Sequence, residues 1–307
     1  MTMADQPKVT VIGAGLMGHG IAQRFLAAGH PVNLVDPNLQ VLEQAEQQIS
    51  DIFTLLEQPY DKGDLLSLYT EIQPAVEDAE FVIEAGPEIL DVKRDIFSQL
   101  ARFSSPKCIL ASNTSAIPIS EIAKGILHPQ RIVGAHFWNP PHLVRLVEVV
   151  QGDETSVTTV EQTIALLDAV GMKSVHVKRD IPGFIGNRLQ HAMKREAIAM
   201  LEAGVCDAET IDDVVKYGFG QRLAVLGPLE QSDLVGLDLT LRILTTIYPS
   251  LDTSSSPQAA LVERVETGQL GMKTGGGFRQ WTPEAADDVR TRVREHLVAK
   301  AKQTTTN

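Results

Sequence analysis

Apolar positions along the first part of the chain alternate between two spacings. Short apolar runs, which are typical of buried strands, occupy residues 9–12, 32–35, 81–84, 108–111, 132–136, 146–150 and 174–177. Helical spacing predicts helices after Gly18, over 41–56, 90–103 and 157–170, and shorter helical pieces over 65–69 and after Pro118. Strands that alternate with helices indicate an α/β fold, in which a mostly parallel, doubly wound sheet is covered on both faces.

The pattern changes after Pro182. Helical spacing then predicts five helices, over 185–203, 208–217, 234–247, 258–266 and 283–300, without a strand of comparable strength. The sequence therefore predicts two domains, an α/β domain over 1–182 and an all-α domain over 183–307.

Composition and charge narrow the class of protein. The 307 residues are 43% hydrophobic and 21% charged, as in an ordinary globular protein. The formal net charge of −12 argues against nucleic acid or an anionic membrane as a partner. We expect neither a membrane span nor a signal peptide. The two cysteines lie far apart outside any ligand motif, so we expect a cytoplasmic protein without a metal site, with Cys108 in the core.

A glycine-rich turn follows the first predicted strand. Gly13, Gly15 and Gly18 have the spacing G-x-G-x-x-G and lead into a predicted helix. The first glycine permits a tight turn, the second lets the backbone approach a pyrophosphate, and the third lets the helix lie close to the strand. A merely structural turn does not require this order of elements, so we predict a Rossmann-type dinucleotide site. Leu16 and Met17, between the last two glycines, belong to the expected contact residues.

The second predicted strand ends at an acidic residue, Asp36. A carboxylate at this position can accept both ribose hydroxyls of an adenosine and would repel a 2′-phosphate. The following residues, 37–41, contain no arginine or lysine that would favour such a phosphate. The sequence therefore predicts NAD rather than NADP.

Polar side chains fall at or beyond the ends of later strands, where a nicotinamide would lie. They are Ser115, His136, Asn139 and Glu148. Oxidation of an alcohol needs a base for the hydroxyl proton while hydride leaves to nicotinamide, and histidine suits that role. Spacing alone does not distinguish a catalytic His136 from an ordinary core histidine, since the chain has eight histidines.

Four motifs resemble those of the L-3-hydroxyacyl-CoA dehydrogenase family, in the family's order and over nearly the whole chain. They are S-N-T-S at 112–115, A-H-F-W-N-P with L-V-E-V-V at 135–140 and 146–150, P-G-F-I-G-N-R at 182–188, and K-T-G-G-G-F at 273–278. The resemblance implies an NAD-dependent dehydrogenase that forms a homodimer through its helical domain.

The resemblance also implies roles for individual residues. It implies that His136 is the general base, that Glu148 is its partner, and that Ser115 and Asn187 hydrogen-bond the substrate oxygens. Asn139 would help to position the nicotinamide or His136. The remaining positions implied to contact the cofactor are Glu88, Lys93, Asn113, Ser115 and Lys273, the last from the second domain.

The segment 37–80 differs from the acyl-CoA enzymes, in which a longer helical hairpin supplies cations for coenzyme A. Here the segment contains one basic residue, Lys62, and ten acidic ones: Glu43, Glu46, Asp51, Glu57, Asp61, Asp64, Glu71, Glu77, Asp78 and Glu80. Such a surface should repel the phosphates of coenzyme A. The alternative is a solvated helix face in a protein that binds coenzyme A elsewhere.

A second difference lies in residues 218–228, which resemble the gulonate dehydrogenase (lambda-crystallin) and carnitine dehydrogenase branches. Arg222 matches a gulonate-branch arginine that meets the substrate carboxylate, and Arg145 is a second candidate cation. Either arginine could instead pair with a structural carboxylate. The loop 139–142 also resembles a branch that oxidises an aromatic pyridine acid.

These features favour an NAD-dependent oxidoreductase that converts a small 3-hydroxy acid to its 3-oxo form. One alternative is a genuine L-3-hydroxyacyl-CoA dehydrogenase that acts on short-chain acyl-CoA. The other is a dinucleotide-binding protein with a structural, crystallin-like role.

Overall fold

A single eight-stranded sheet dominates the computed structural model, which describes residues 6–60 and 65–305. Its strands are β1 Val9–Ile12, β2 Val32–Val35, β3 Leu66–Tyr69, β4 Phe81–Glu84, β5 Ile109–Ser112, β6 Ile132–Phe137, β7 Leu146–Val150 and β8 Lys173–Val177. They lie in the order β3-β2-β1-β4-β5-β6-β7-β8. All neighbouring pairs are parallel except β6 and β7, so the end of β6 and the start of β7 share one edge of the sheet.

Helices cover the sheet and make up the C-terminal part of the chain. Those up to β8 are α1 Gly18–Ala27, α2 Leu39–Leu55, α3 Ile72–Val76, α4 Leu90–Phe103, α5 Ile119–Ala123 and α6 Val157–Ala169. Those after β8 are α7 Gly186–Glu202, α8 Ala208–Tyr217, α9 Pro228–Val235, α10 Leu237–Ile247, α11 Ala259–Glu266 and α12 Pro283–Thr305.

Two apolar clusters form the core, one on each face of the sheet. Successive strand residues alternate between them: Ile83 of β4 belongs to one cluster and Val82 to the other. This alternation follows from the pleat of a strand, which directs neighbouring side chains to opposite faces. The predicted doubly wound α/β fold with a helical C-terminal region is confirmed.

Two of the predicted elements were wrong. Residues 65–69 were expected to be helical, but 66–69 form β3, whose backbone pairs with β2 in parallel register. A segment this short gains little as an isolated helix, whereas pairing satisfies the backbone groups at the edge of β2. Residues 234–247 were expected to form one helix, but Gly236, with a φ of +95°, separates α9 from α10.

Contacts between residues divide the chain into two units. Unit 1 comprises the residues up to Asn187 and those from Arg294 onward, and unit 2 comprises Arg188–Val293. The first division lies close to the expected boundary at 182, whereas the expected second domain extended to residue 307. The domain boundaries therefore stay a prediction. No helix among the described residues is long and apolar enough to cross a membrane.

Candidate functional site

Close backbone packing fixes the glycine-rich turn after β1. A Cβ on Gly18 would lie 1.7 Å from the carbonyl oxygen of Gly13, and a Cβ on Gly13 would lie 2.7 Å from the carbonyl oxygen of Ala85. A Cβ on Gly15 would meet no atom within 4 Å. Two glycines are thus required by the protein itself, while the third leaves open space where a pyrophosphate can approach the backbone.

The surroundings of this turn fit the adenosine and phosphates of a dinucleotide. α1 begins without a side-chain cap, because Met17 occupies its N-cap position, and Leu16 beside it is exposed. An uncapped helix start favours a phosphate. Asp36 lies at the end of β2, and its carboxylate accepts hydrogen bonds from the backbone N–H groups of Ala14 at 3.1 Å and Asn38 at 3.0 Å. The predicted acidic residue therefore borders the glycine turn.

His136 and Glu148 are direct partners across the antiparallel pair β6 and β7. Nδ1 of His136 lies 2.9 Å from Oε2 of Glu148, and both side chains are buried. With Nδ1–H donating to the carboxylate, Nε2 carries the lone pair that can take a proton. The arrangement is that of an imidazole base held by a carboxylate.

Glu148 receives further hydrogen bonds that keep it ionised. The backbone N–H groups of Ile185 and Gly186, at the start of α7, donate to Oε1 at 2.9 Å and 3.0 Å. The indole N–H of Trp138 donates to Oε2 at 3.3 Å. Burial by itself would raise the pKa of Glu148, but the hydrogen bonds from His136 and from the two backbone N–H groups outweigh it and lower that pKa.

The loop after β5 brings the two expected substrate-binding residues together. The side-chain amide of Asn187 donates to the carbonyl oxygen of Ser115 at 3.0 Å. Glu88 holds this loop, because its Oε1 accepts hydrogen bonds from the hydroxyl of Thr114 and the backbone N–H of Ser115, at 2.6 Å and 2.9 Å. Asn113 joins the loop to β6, since its side-chain oxygen accepts the N–H of Phe137 at 2.8 Å.

A buried ion pair at the end of β4 contacts the residues that hold the same loop. Lys93 is 1% exposed, and its Nζ lies 2.8 Å from Oε1 of Glu84 and 3.3 Å from Oε2 of Glu88. Glu84 also accepts the hydroxyl of Ser112 at 2.7 Å. Sequence reasoning missed Glu84, although an acidic residue at the end of an apolar strand is a signal that could have found it. The contact of Lys93 with the cofactor stays a prediction.

The other predicted site residues are exposed. Asn139 follows β6 and precedes a cis peptide bond to Pro140. Arg145 donates through Nε to the carbonyl oxygen of Gly171 at 2.7 Å. Arg222 and Lys273 lie in unit 2.

The roles of these four residues stay predictions. Neither Arg145 nor Arg222 forms an ion pair with a carboxylate within residues 6–60 and 65–305. That part of the chain also contains no group of three or more histidine, cysteine or acidic side chains that could hold a metal ion.

Two family models match the chain. One describes the NAD binding domain of 3-hydroxyacyl-CoA dehydrogenase and matches residues 8–181. The other describes the C-terminal domain of 3-hydroxyacyl-CoA dehydrogenase and matches residues 183–281.

Relatives with assigned names share most of their length with this chain. The 5-formyl-3-hydroxy-2-methylpyridine 4-carboxylate 5-dehydrogenase of Mesorhizobium japonicum is 32% identical over 296 residues, covering 95% of this chain and 96% of the relative. A probable 3-hydroxybutyryl-CoA dehydrogenase of Bacillus subtilis is 38% identical over 283 residues, covering 88% of this chain and 96% of the relative.

Solved structures of the same two kinds superimpose on the chain. The crystal structure of a 5-formyl-3-hydroxy-2-methylpyridine 4-carboxylic acid 5-dehydrogenase, described as an NAD+-dependent dismutase, gives a TM-score of 0.90 at 31% identity. The match covers 98% of this chain and 99% of that chain. A (S)-3-hydroxybutyryl-CoA dehydrogenase from Ralstonia eutropha gives a TM-score of 0.75 at 31% identity, covering 91% and 100%.

Proposed function

Since the chain belongs to the 3-hydroxyacyl-CoA dehydrogenase family, we propose that it oxidises the hydroxyl of a small 3-hydroxy acid to the 3-oxo form. Membership makes the protein an NAD-dependent dehydrogenase, and the fit of the glycine turn and Asp36 to a dinucleotide agrees with it. The substrate and the roles of individual residues are the proposed part.

The observation that carries the proposal is the buried hydrogen bond between His136 and Glu148. Nε2 of His136 takes the hydroxyl proton of the substrate, and Glu148 stabilises the imidazolium that forms. The glycine turn after β1 and Asp36 would hold NAD, which would supply the acceptor for the hydride. Ser115 and Asn187 bind the substrate oxygens, and the 3.0 Å hydrogen bond from the side-chain amide of Asn187 to the backbone carbonyl oxygen of Ser115 supports this assignment.

A free acid is favoured over a coenzyme A ester by the charge of residues 37–60 and 65–80. Most of the acidic side chains there are exposed: Glu43, Asp51, Glu57, Glu71, Glu77, Asp78 and Glu80. The only basic residue of the segment, Lys62, and two acidic ones, Asp61 and Asp64, lie outside the described residues. Such a surface disfavours the phosphates of coenzyme A. The high TM-score with an enzyme named for a carboxylic acid supports the same choice.

The carboxylate of the substrate would then need a cation. We assign that role to Arg222, with Arg145 as a second contact. The rival substrate, a short-chain acyl-CoA, is supported by relatives named 3-hydroxybutyryl-CoA dehydrogenase.

The experiment that tests the proposal replaces His136 by Gln and measures oxidation with NAD for a panel of 3-hydroxy acids. We expect kcat to fall by about a thousandfold, the size of a lost general base, while NADH binding is retained. His296→Gln, on the exposed side of α12, is the matched control and should behave as the wild type. Full activity of His136→Gln would contradict the role of His136.

The same assays separate the alternatives. Turnover of acetoacetyl-CoA far better than of any free acid would establish the acyl-CoA substrate instead. Tight NADH binding by a wild-type protein that turns over neither class would favour the structural role.

We also propose that the protein is a homodimer formed through its helical unit. α8, α9, α10 and α11 contain no buried residue in the single chain. Large apolar side chains of this unit, such as Val225 at 85% and Leu229 at 80%, are exposed. A second copy of the chain is the partner that would cover them.

A further inference from the structure

We propose that Trp138 is a positioning residue for the His136–Glu148 pair, an inference that rests on the proposed function. Its indole N–H donates to Oε2 of Glu148 at 3.3 Å, the same oxygen that accepts Nδ1–H of His136 at 2.9 Å. Trp138 therefore acts on the base through the carboxylate, and no contact with substrate is required of it.

The indole is held against both partners of the pair. Its ring centroid lies 5.8 Å from that of His136, at an angle of 50° between the planes, and Phe184 lies against the imidazole at 5.6 Å. The benzene edge of Trp138 lies against Gly186, where an added Cβ would meet Cζ2 at 2.2 Å. A glycine at the start of α7 is thus what allows the indole to reach the carboxylate.

The carboxylate of Glu148 is consequently fixed in its plane by four donors. His136 and Trp138 donate to Oε2, and the N–H groups of Ile185 and Gly186 donate to Oε1. Two oxygens with two donors each leave the carboxylate no freedom to rotate without breaking hydrogen bonds.

Among the described residues, His136 is the one ionisable side chain that hydrogen-bonds the carboxylate of Glu148. The neighbours of Glu148 along β7 are Val147 and Val149, and its partner on β8 is Val175. α7 contributes backbone N–H groups, and Trp138 contributes a neutral donor. The hydrogen bonds to this carboxylate therefore come from one ionisable side chain and three neutral donors.

The indole should help to keep the imidazole unprotonated. A carboxylate whose negative charge is shared with the indole N–H attracts a proton on the imidazole less strongly. The indole hydrogen bond is also stronger while the imidazole is neutral, because an imidazolium withdraws part of the charge of the carboxylate. Removal of the indole N–H should therefore make protonation of the pair easier.

The test replaces Trp138 by Phe, which removes the N–H and keeps an aromatic ring. We expect the acid limb of the kcat/KM–pH profile for substrate oxidation to move to higher pH by about half a unit to one unit. Trp281→Phe is the matched control, since Trp281 lies in unit 2 against Arg279. Its profile should coincide with that of the wild type.

A second measurement leaves Trp138 in place. In the Trp281→Phe protein Trp138 is the only tryptophan, because the chain has two. An imidazolium quenches indole emission more than a neutral imidazole does, so the emission should change with pH. That change should disappear when His136→Gln is added.

The outcomes separate this inference from the proposed function. An unmoved acid limb in Trp138→Phe, together with an inactive His136→Gln, would overturn the role of Trp138 and leave His136 as the base. A pH-dependent change in Trp138 emission that persists when His136→Gln is added would overturn the role of Trp138 as well. An active His136→Gln would refute the proposed function, while the emission change would still report the contact between the two rings.

Discussion

At the scale of single residues, burial strongly shifts the pKa values of two titratable side chains, His142 and Cys108. It lowers the pKa of His142 to about 4, with the charges of His19 and Arg24 acting in the same direction. Nδ1 of His142 is buried without a hydrogen-bond partner among the described residues. Burial likewise raises the pKa of the Cys108 thiol to about 12, and Cys108 is 1% exposed, which confirms its prediction as a core residue.

His142 makes the stability of the protein depend on pH. Its pKa is lower in the folded protein than in the unfolded chain, so below about pH 6.5 the unfolded chain binds the proton first. We expect the free energy of unfolding to fall between about pH 6.5 and pH 4, with about 2 kcal/mol of the loss due to His142. Denaturant unfolding across this range measures the slope.

His142→Gln should flatten that slope, and His296→Gln, an exposed histidine, should leave it unchanged. An equal slope in the wild type and in His142→Gln would contradict the assignment.

At the scale of elements, the glycine turn between β1 and α1 must allow close backbone packing and must also leave space for a ligand. Gly18 lets the first turn of α1 lie against the carbonyl of Gly13, whereas Gly15 borders open space. The two glycines therefore serve different purposes, although the sequence motif treats them alike.

Gly18→Ala and Gly15→Ala should separate these purposes. The Cβ of Gly18→Ala would clash with backbone at 1.7 Å, so we expect a loss of about 3 kcal/mol of unfolding free energy and weaker NADH binding. Gly15→Ala fits the unliganded protein and should keep its stability, while NADH binding weakens on the order of tenfold.

Thermal unfolding and NADH titration of both variants check the pair of expectations. Unchanged NADH affinity in Gly15→Ala would mean that the pyrophosphate does not approach this turn.

At the scale of the whole molecule, the two units differ in how they bury apolar side chains. Almost all the buried hydrophobic residues lie in unit 1. Among the described residues of unit 2, Ala286 is the only buried hydrophobic residue. Helices without buried residues are stabilised little by propensity alone. The proposed homodimer supplies the missing burial.

Oligomeric state tests this directly. Size-exclusion chromatography with light scattering should give about twice the mass of one chain at micromolar concentration. Leu234→Glu with Leu241→Glu, at exposed positions of unit 2, should shift the protein toward the monomer and lower its stability. Val157→Glu, an exposed position of unit 1, is the control. A monomeric wild type would contradict the proposal.

Prediction of strands and helices from the sequence succeeded where the spacing of apolar residues fits only one type of secondary structure. β1, β4, β7 and α8 begin and end at the predicted residues. It failed at 66–69, where Leu66, Leu68 and Tyr69 fit a short helix or a strand equally well. Pairing with the free edge of β2 favours the strand, and the local sequence pattern contains no information about that pairing.

The sequence by itself determined most of the alternation of strands and helices, the glycine turn and the acidic residue after β2, because these features depend on spacing along the chain. The candidate pair at 136 and 148 followed from the motifs that resemble the family, since spacing alone does not identify it. Only the tertiary structure decided the surroundings of that pair. Donors to Glu148 come from 10, 12, 37 and 38 residues away, and sequence distance does not reveal which backbone N–H groups a fold brings to one carboxylate. Trp138 was overlooked for this reason, because its contact exists only once β6, β7 and the start of α7 have been brought together.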